Sequence, residues 1–426
     1  MSLLRLLLPL LAFCLCMGAV QPGSETLIRG AHVFDGSGRP AKINDVLIRD
    51  GRIALIGRKL RLPRGARLVE GAGHMLIPGL HDLHIHTNRT AFADRSAMQA
   101  AFQPYLRHGV TSVNEYSVSG EMLAGIRSLA AVTPAPRLEL AIRMGVPHGH
   151  GTESDWTNGI TSQVTTPAEA RAAMARALPY RPDLIKVFAD GWRYGRDADR
   201  PSMDLPTLSA ITRAAREAGV PVVTHTVTLA GAKIAARARV DALVHGIGDA
   251  PVDAELIRLM KRGGTAYVPT LAVYEPKADR SFLPAEWRML SDDARAQEER
   301  RRAEPTQPVP ELQARRWAIM QDNVRRLKAA GIPIGTGTDT GITGVYPGTA
   351  ALREIVLLTR LGFTPAEAIR AATDISARIM GKNRLQGRIA RGKRADIVLI
   401  QGRPDERIED LYEVRRVWIG GVESAL

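Results

Sequence analysis

Apolar and polar residues alternate at both ends of this chain and give way to short solid apolar runs between them. From about residue 26 to 69 the alternation has the period of two of half-buried strands, in TLIRGAHVFDGSG, DVLIRDGRIALIG and ARLVEGAG, with glycine-rich turns between. Strand-and-turn sequence returns at the far end in GRIARGKRADIVLIQG and EVRRVWIGG. In the middle, after a first strand ending at His86, come GVTSVNEY, RLELAIRM, DLIKVFAD, VPVVTH, DALVHG, TAYVPTL and IPIGTGTD. Alanine-rich helical stretches such as LPTLSAITRAAREAG and AEAIRAATDISARIMG fall between or after them. Such strand–helix alternation predicts an α/β chain, a (β/α)8 TIM-like barrel over 80–383. The two ends predict a small discontinuous β-sandwich domain from 25–79 and 384–426. Residues 275–316, charged and proline-containing, interrupt the rhythm after the seventh strand and read as an inserted lid or a solvated excursion. No repeat of fixed period is present.

Length and composition agree with this frame. A chain of 426 residues, 45% hydrophobic and 24% charged, can bury a large core and an appended smaller one. The net charge of +14 raises the question of a nucleic-acid partner. Basic residues are interspersed with acids, as in EERRRAEP, and no basic stripe with interleaved aromatics occurs, which argues against one. A basic surface instead favours anionic envelope components or a carboxylate-bearing small substrate.

The first 19 residues read as a signal peptide. A short positive region ending at Arg5 precedes an apolar run over 6–20, broken by Pro9 and ending in Gly18 and Ala19. That run is shorter than the roughly 20 residues a spanning helix needs. The expectation is therefore a secreted or periplasmic protein with no stable membrane span after cleavage. Both cysteines, Cys14 and Cys16, lie inside the run, and bulky Phe13 and Leu15 before them argue against a lipoprotein. A mature chain without cysteine has no disulfide and no thiolate ligand, so a metal site must use nitrogen and oxygen.

Six residues at predicted strand ends supply such ligands: His84, His86, Lys186, His225, His245 and Asp339. The C-terminal ends of barrel strands are where catalytic side chains gather. His84 and His86, two apart on a strand, point to the same face and can chelate one cation. Asp82 shares that face and suits a supporting role, whereas His81 points elsewhere and reads as structural. Lys186 alternates with Leu184 and Phe188 in an apolar strand, where a bare ammonium is costly to bury. Four imidazoles, a carboxylate and a lysine in this order read as a two-metal hydrolase.

The quoted runs, with IPGLHDLHIH, HGHG, AGIPIGTGTDTG and FTPAEAIRAAT followed by GRIARGKRADIVLI, give the chain a clear resemblance. It resembles the amidohydrolase superfamily, in the branch with imidazolonepropionase-like proteins and Xaa-Pro dipeptidases. The resemblance implies two divalent ions, zinc foremost, a Lys186 carboxylated on nitrogen to bridge them, and His225 and His245 on the second ion. Two such ions about 3.5–4 Å apart make hydroxide from a shared water near neutral pH. Asp339 then acts as general base and acid in cleaving an amide or peptide bond of a dipeptide or N-acyl amino acid. A cyclic amide, lactone or deaminase-type reaction on the same scaffold is the alternative. The HGHG loop resembles one that brings a histidine to the substrate carboxylate, here His150, with His148 the other candidate. Arg193, Tyr194 and Tyr274 are further candidates for substrate contact. The sequence leaves the acyl and leaving groups, the native metal and a homo-oligomeric state open.

Overall fold

The computed structural model describes residues 25–153, 159–195, 197–277, 280–304 and 309–425. The predicted signal over 1–19, with Cys14 and Cys16, lies outside them. Five strands open the described chain: β1 (Thr26–Val33), β2 (Lys42–Arg49), β3 (Arg52–Gly57), β4 (Arg67–Glu70) and β5 (His74–Pro78). The central strands are β6 (Leu80–Ile85), β7 (Val110–Glu115), β8 (Arg137–Gly145), β9 (Thr161–Gln163), β10 (Leu184–Phe188), β11 (Val222–His225), β12 (Ala242–Val244) and β13 (Ala266–Val268). Three more close the chain: β14 (Ile397–Gln401), β15 (Val414–Ile419) and β16 (Val422–Ser424).

The central strands form a parallel sheet ordered β6-β7-β8-β10-β11-β12-β13, with β9 a short extra partner of β8. Every residue of β6, β7, β10 and β11 is buried. Burial on both faces is why these segments read as solid apolar runs rather than alternating ones. Seven strands leave a gap, and the segment 332–340 fills it without becoming a regular strand. Tyr267 N donates to Pro333 O and Gly335 N to Tyr267 O on one side, both at 2.9 Å. Leu83 N donates to Thr336 O at 2.9 Å and Asp339 N to His84 O at 2.8 Å on the other. Glycine is what this close approach requires: a Cβ at Gly337 would lie 2.8 Å from Val268 Cγ1 and 3.1 Å from His84 Cβ. The ring thus closes at its eighth position through these irregular bridges.

The outer helices pack by the same logic. In Leu205–Glu217, Asp204 caps the first turn by accepting from Thr207 N, and Leu208, Ile211 and Ala215 recur at helical spacing on the buried face. Burial of the leucine and the isoleucine is worth about 1.5–3 kcal/mol each. Inside the ring, Leu83, Tyr116, Leu184, Val223, Val244 and Val268 fill the barrel, and Ile379 and Met380 plug its lower end. The terminal strands form one mixed eight-stranded sheet, β16-β15-β14-β5-β1-β2-β3 with β4 also on β1. They enclose a separate core that includes Ile28, Val46, Ile53, Leu76, Leu399 and Trp418. β5 runs directly into β6, so the small sheet is fastened to the strand that carries His84. Among the described residues no helix is long and apolar enough to cross a membrane.

Candidate metal centre

The barrel brings all six predicted ligands to one cavity, whose wall they share. His84 Nε2 lies 3.1 Å from His86 Nε2, and each is 3.2 Å from Asp339 Oδ1. Three donor atoms at these separations match the edges of a coordination tetrahedron, which span roughly 3.3 Å for metal–nitrogen bonds of about 2.0–2.1 Å. His245 Nδ1 stands 4.0 Å from the other Asp339 oxygen. The imidazoles continue as a row: ring centroids are 4.7 Å apart from His84 to His245, 4.6 Å from there to His225, and 4.1 Å from His225 to His150.

Electrostatics favours ligation. Burial pushes His84 down to about 3 and lowers His86, and it drives His225 and His245 well below the ordinary imidazole range. Neutral imidazole is the ligating form. Burial opposes ionisation of Asp339, but the hydrogen bonds and charge of His84, with His86 and His245, hold it well below the usual carboxylate range. Lys186 is 2% exposed, and burial takes its amine well below the usual lysine range. Its Nζ has no hydrogen-bond partner among the described residues and sits 5.0 Å from the Tyr116 ring centre. This buried amine stands among four imidazoles and a carboxylate, a nitrogen and oxygen donor set that fits divalent cations.

Neighbours hold these ligands in place. Asp82 accepts from Thr338 Oγ1 at 2.7 Å, Thr338 N at 3.0 Å and His84 N at 3.2 Å, tying β6 to the segment that carries Asp339. His86 Nδ1 meets Ser117 Oγ at 3.0 Å and His245 Nδ1 meets Thr270 Oγ1 at 3.1 Å. Asp190 gathers Thr226 Oγ1, Val227 N and Thr228 N just beyond His225. His245, Thr270 and Asp339 all adopt positive φ, at 86°, 47° and 62°. For a β-branched threonine this is strain of the kind that persists at functional sites.

The substrate-side candidates separate. His150, Tyr194 and Tyr274 line the cavity of about 720 Å³, whereas Arg193 does not and His148 is exposed. His150 is already engaged: its Nδ1 lies 3.0 Å from Glu153 Oε1, and Arg193 reaches the same oxygen at 3.7 Å. Burial works against ionisation of Glu153, yet the His150 hydrogen bond and charge hold it down to about 2. Tyr194 and Tyr274 place their hydroxyls 3.2 Å apart, with Arg316 stacked 4.4 Å from the Tyr194 ring. Sequence reasoning passed over Arg143, Tyr116, Glu153 and Asp190. Arg143 is buried in β8 beside Lys186, with which it is in register, and it lines the cavity. Its signal was available, since it is a charge within an apolar strand. Tyr116, stacked 4.4 Å from His84, carries no comparable signal.

Known proteins support the assignment at the level of family. The amidohydrolase family model matches residues 75–423. A structure from Bifidobacterium longum, provisionally named a prolidase, superposes with a TM-score of 0.76 and 26% identity over 95% of both chains. A dihydroorotase of Pelotomaculum thermopropionicum is 33% identical over 89 residues, so the chain spans only 21% of that relative's length. An N-acyl-D-aspartate deacylase of Alcaligenes xylosoxydans xylosoxydans is 26% identical over 182 residues, 42% of this chain and 33% of that one. With a barrel of this topology and the family match running from β5 to β16, the chain belongs to the amidohydrolase family.

Proposed function

We propose that this chain is a metal-dependent hydrolase that cleaves the C–N bond of a small amide, a dipeptide or an N-acyl amino acid bearing a carboxylate. One observation carries the reading: the four imidazoles, Asp339 and a buried Lys186 without a hydrogen-bond partner among the described residues line a single cavity. His84, His86 and Asp339 would hold one divalent ion and His225 and His245 a second, with a carboxylated Lys186 shared between them. Zinc suits this nitrogen and oxygen set. When bound, such ions polarise a carbonyl and bring the pKa of water near neutrality.

The chain's own groups supply the rest. Asp339 is held ionised, so it starts as a base and can return its proton to the departing amine, which leaves poorly as an anion. Burial pushes Tyr194 up to about 12 and Tyr274 well above the ordinary phenol range, so both remain protonated hydrogen-bond donors at the cavity wall. A substrate carboxylate would meet Arg143 and His150 on the β8 side, where it shares His150 with Glu153. Burial lowers Arg143 only to about 10, leaving it cationic at neutral pH. A cyclic amide is the second reading, favoured by the local identity to dihydroorotase. Screening zinc- and bicarbonate-treated protein against dipeptides, N-acyl amino acids and cyclic amides tests the choice. Chelator-sensitive cleavage of the open amides is expected, and turnover of the cyclic amides alone would replace this reading with the second.

A further inference from the structure

The cavity has two unlike walls. On the β8 side, the third strand of the ring, stand Arg143, His150 and Glu153. On the side of β13 and the closing segment Val273, Pro276, Val309, Pro310 and Ile342 form an apolar patch, interrupted by Glu275, Lys277, Gln313, Arg316 and Thr343. In an eight-position ring the third and seventh strands face each other, so this patch stands opposite the β8 side across the candidate ligands.

The Tyr274–Pro276 part of this side is anchored through Glu275. Glu275, which follows Tyr274, is bridged by Arg353, and Arg353 also holds Glu286 at 2.9 Å. All three are buried. Across the mouth, Leu312 packs against Gly195, where a Cβ would lie 2.8 Å from its Cδ2. Ile342 belongs to a tight turn after Asp339, with Val345 N donating to Ile342 O at 3.0 Å. It is nevertheless 49% exposed. A large apolar side chain left open in the lining of a cavity marks a surface that a ligand covers. The volume of about 720 Å³ lies well inside the range that takes drug-sized ligands, roughly 300–1,000 Å³.

We propose that Val273, Val309, Pro310 and Ile342 form a specificity wall that selects amides with a bulky apolar acyl half. This rests on the hydrolase reading above, in which the amino-acid half turns its carboxylate to Arg143 and His150 on the β8 side. Because the wall is already built, little ordering cost offsets the gain from covering it.

The test compares N-(phenylacetyl)glycine, N-acetylglycine and N-acetylphenylalanine on the zinc-loaded enzyme. One methylene in an apolar pocket is worth about 10–200-fold in discrimination. The phenylacetyl compound should therefore exceed N-acetylglycine in kcat/KM by at least about tenfold. Ile342→Glu, at an exposed position, and Val309→Glu should each reduce that ratio several-fold. Equal kcat/KM for the two glycine amides, a ratio unmoved by both substitutions, or a preference for N-acetylphenylalanine alone would overturn the assignment. If none of the three is cleaved, the N-acyl amino acid reading fails separately. Calorimetric Kd values for the same compounds then decide the wall, with a tenfold preference for phenylacetyl supporting it and equal or undetectable binding refuting it.

Discussion

Replacing Lys186 with methionine separates its cost to the fold from its use to the site. Nζ is buried and has no hydrogen-bond partner among the described residues, and methionine has nearly the same length with no such atom. Removing an unsatisfied buried polar group should recover about 1–3 kcal/mol. With roughly 2.1 cal/mol/K of unfolding entropy per residue over 426 residues, that is a rise of about 1–3 °C in Tm. The metal-loaded protein should respond in the opposite direction. An ion at a hundred times its Kd stabilises the native state by about 2.7 kcal/mol, and Lys186→Met should forfeit that for any ion it helps to hold. Amidase activity should disappear with it. Differential scanning calorimetry with and without zinc and bicarbonate reads both terms. A lower Tm for metal-free Lys186→Met, or an unchanged gain on adding zinc, would refute the claim that this side chain is kept for ligation.

Other consequences follow from neighbouring contacts. Asp82→Asn weakens the link between His84 and the Thr338 segment and should lower zinc affinity about 10–100-fold, measured by competition with a chromogenic chelator. Arg353→Ala leaves Glu286 buried without its cation and Glu275 with only the longer contacts to Arg280 at 3.5 Å and Arg360 at 3.8 Å, and should cost about 3–5 kcal/mol in urea unfolding. A cost below 1 kcal/mol would mean that this pairing does not anchor the wall. Glu153 has a folded pKa depressed from 4.5 to about 2, so its stabilising contribution is present above pH 4.5 and is lost as pH falls towards 2. Allowing for its partial exposure, that contribution is about 1–2 kcal/mol, and Glu153→Gln should flatten the acid limb of stability by that amount.

How far the sequence revealed this arrangement depended on whether each signal was local. The His84–His86 pair follows from the period of two on one strand, and Lys186 stands out as a charge inside an apolar run. Arg143 gave the same signal but was masked, because Arg137 and Glu139 share its parity and make it look like one more outward-facing charge. The engagement of His150 with Glu153 depends on how the loop after β8 folds back, which no spacing encodes. The seventh strand ends after only three residues, and Leu271–Tyr274 turns helical because Glu354, 83 residues away from Leu271, accepts from Leu271 N and Ala272 N. The eighth position is irregular for a reason visible only in three dimensions, the pressure of Val268 and His84 on Gly337.

Metal stoichiometry, read beside activity, tests the two-ion hydrolase most directly. The chain should be stripped with chelator, refilled with zinc in bicarbonate, and analysed for metal content at each step while cleavage of an N-acyl amino acid is followed. The prediction is two ions per chain, with activity appearing as the second site fills and His84→Ala losing metal and turnover together. Full activity with one ion per chain, or activity that survives complete removal of metal, would contradict it.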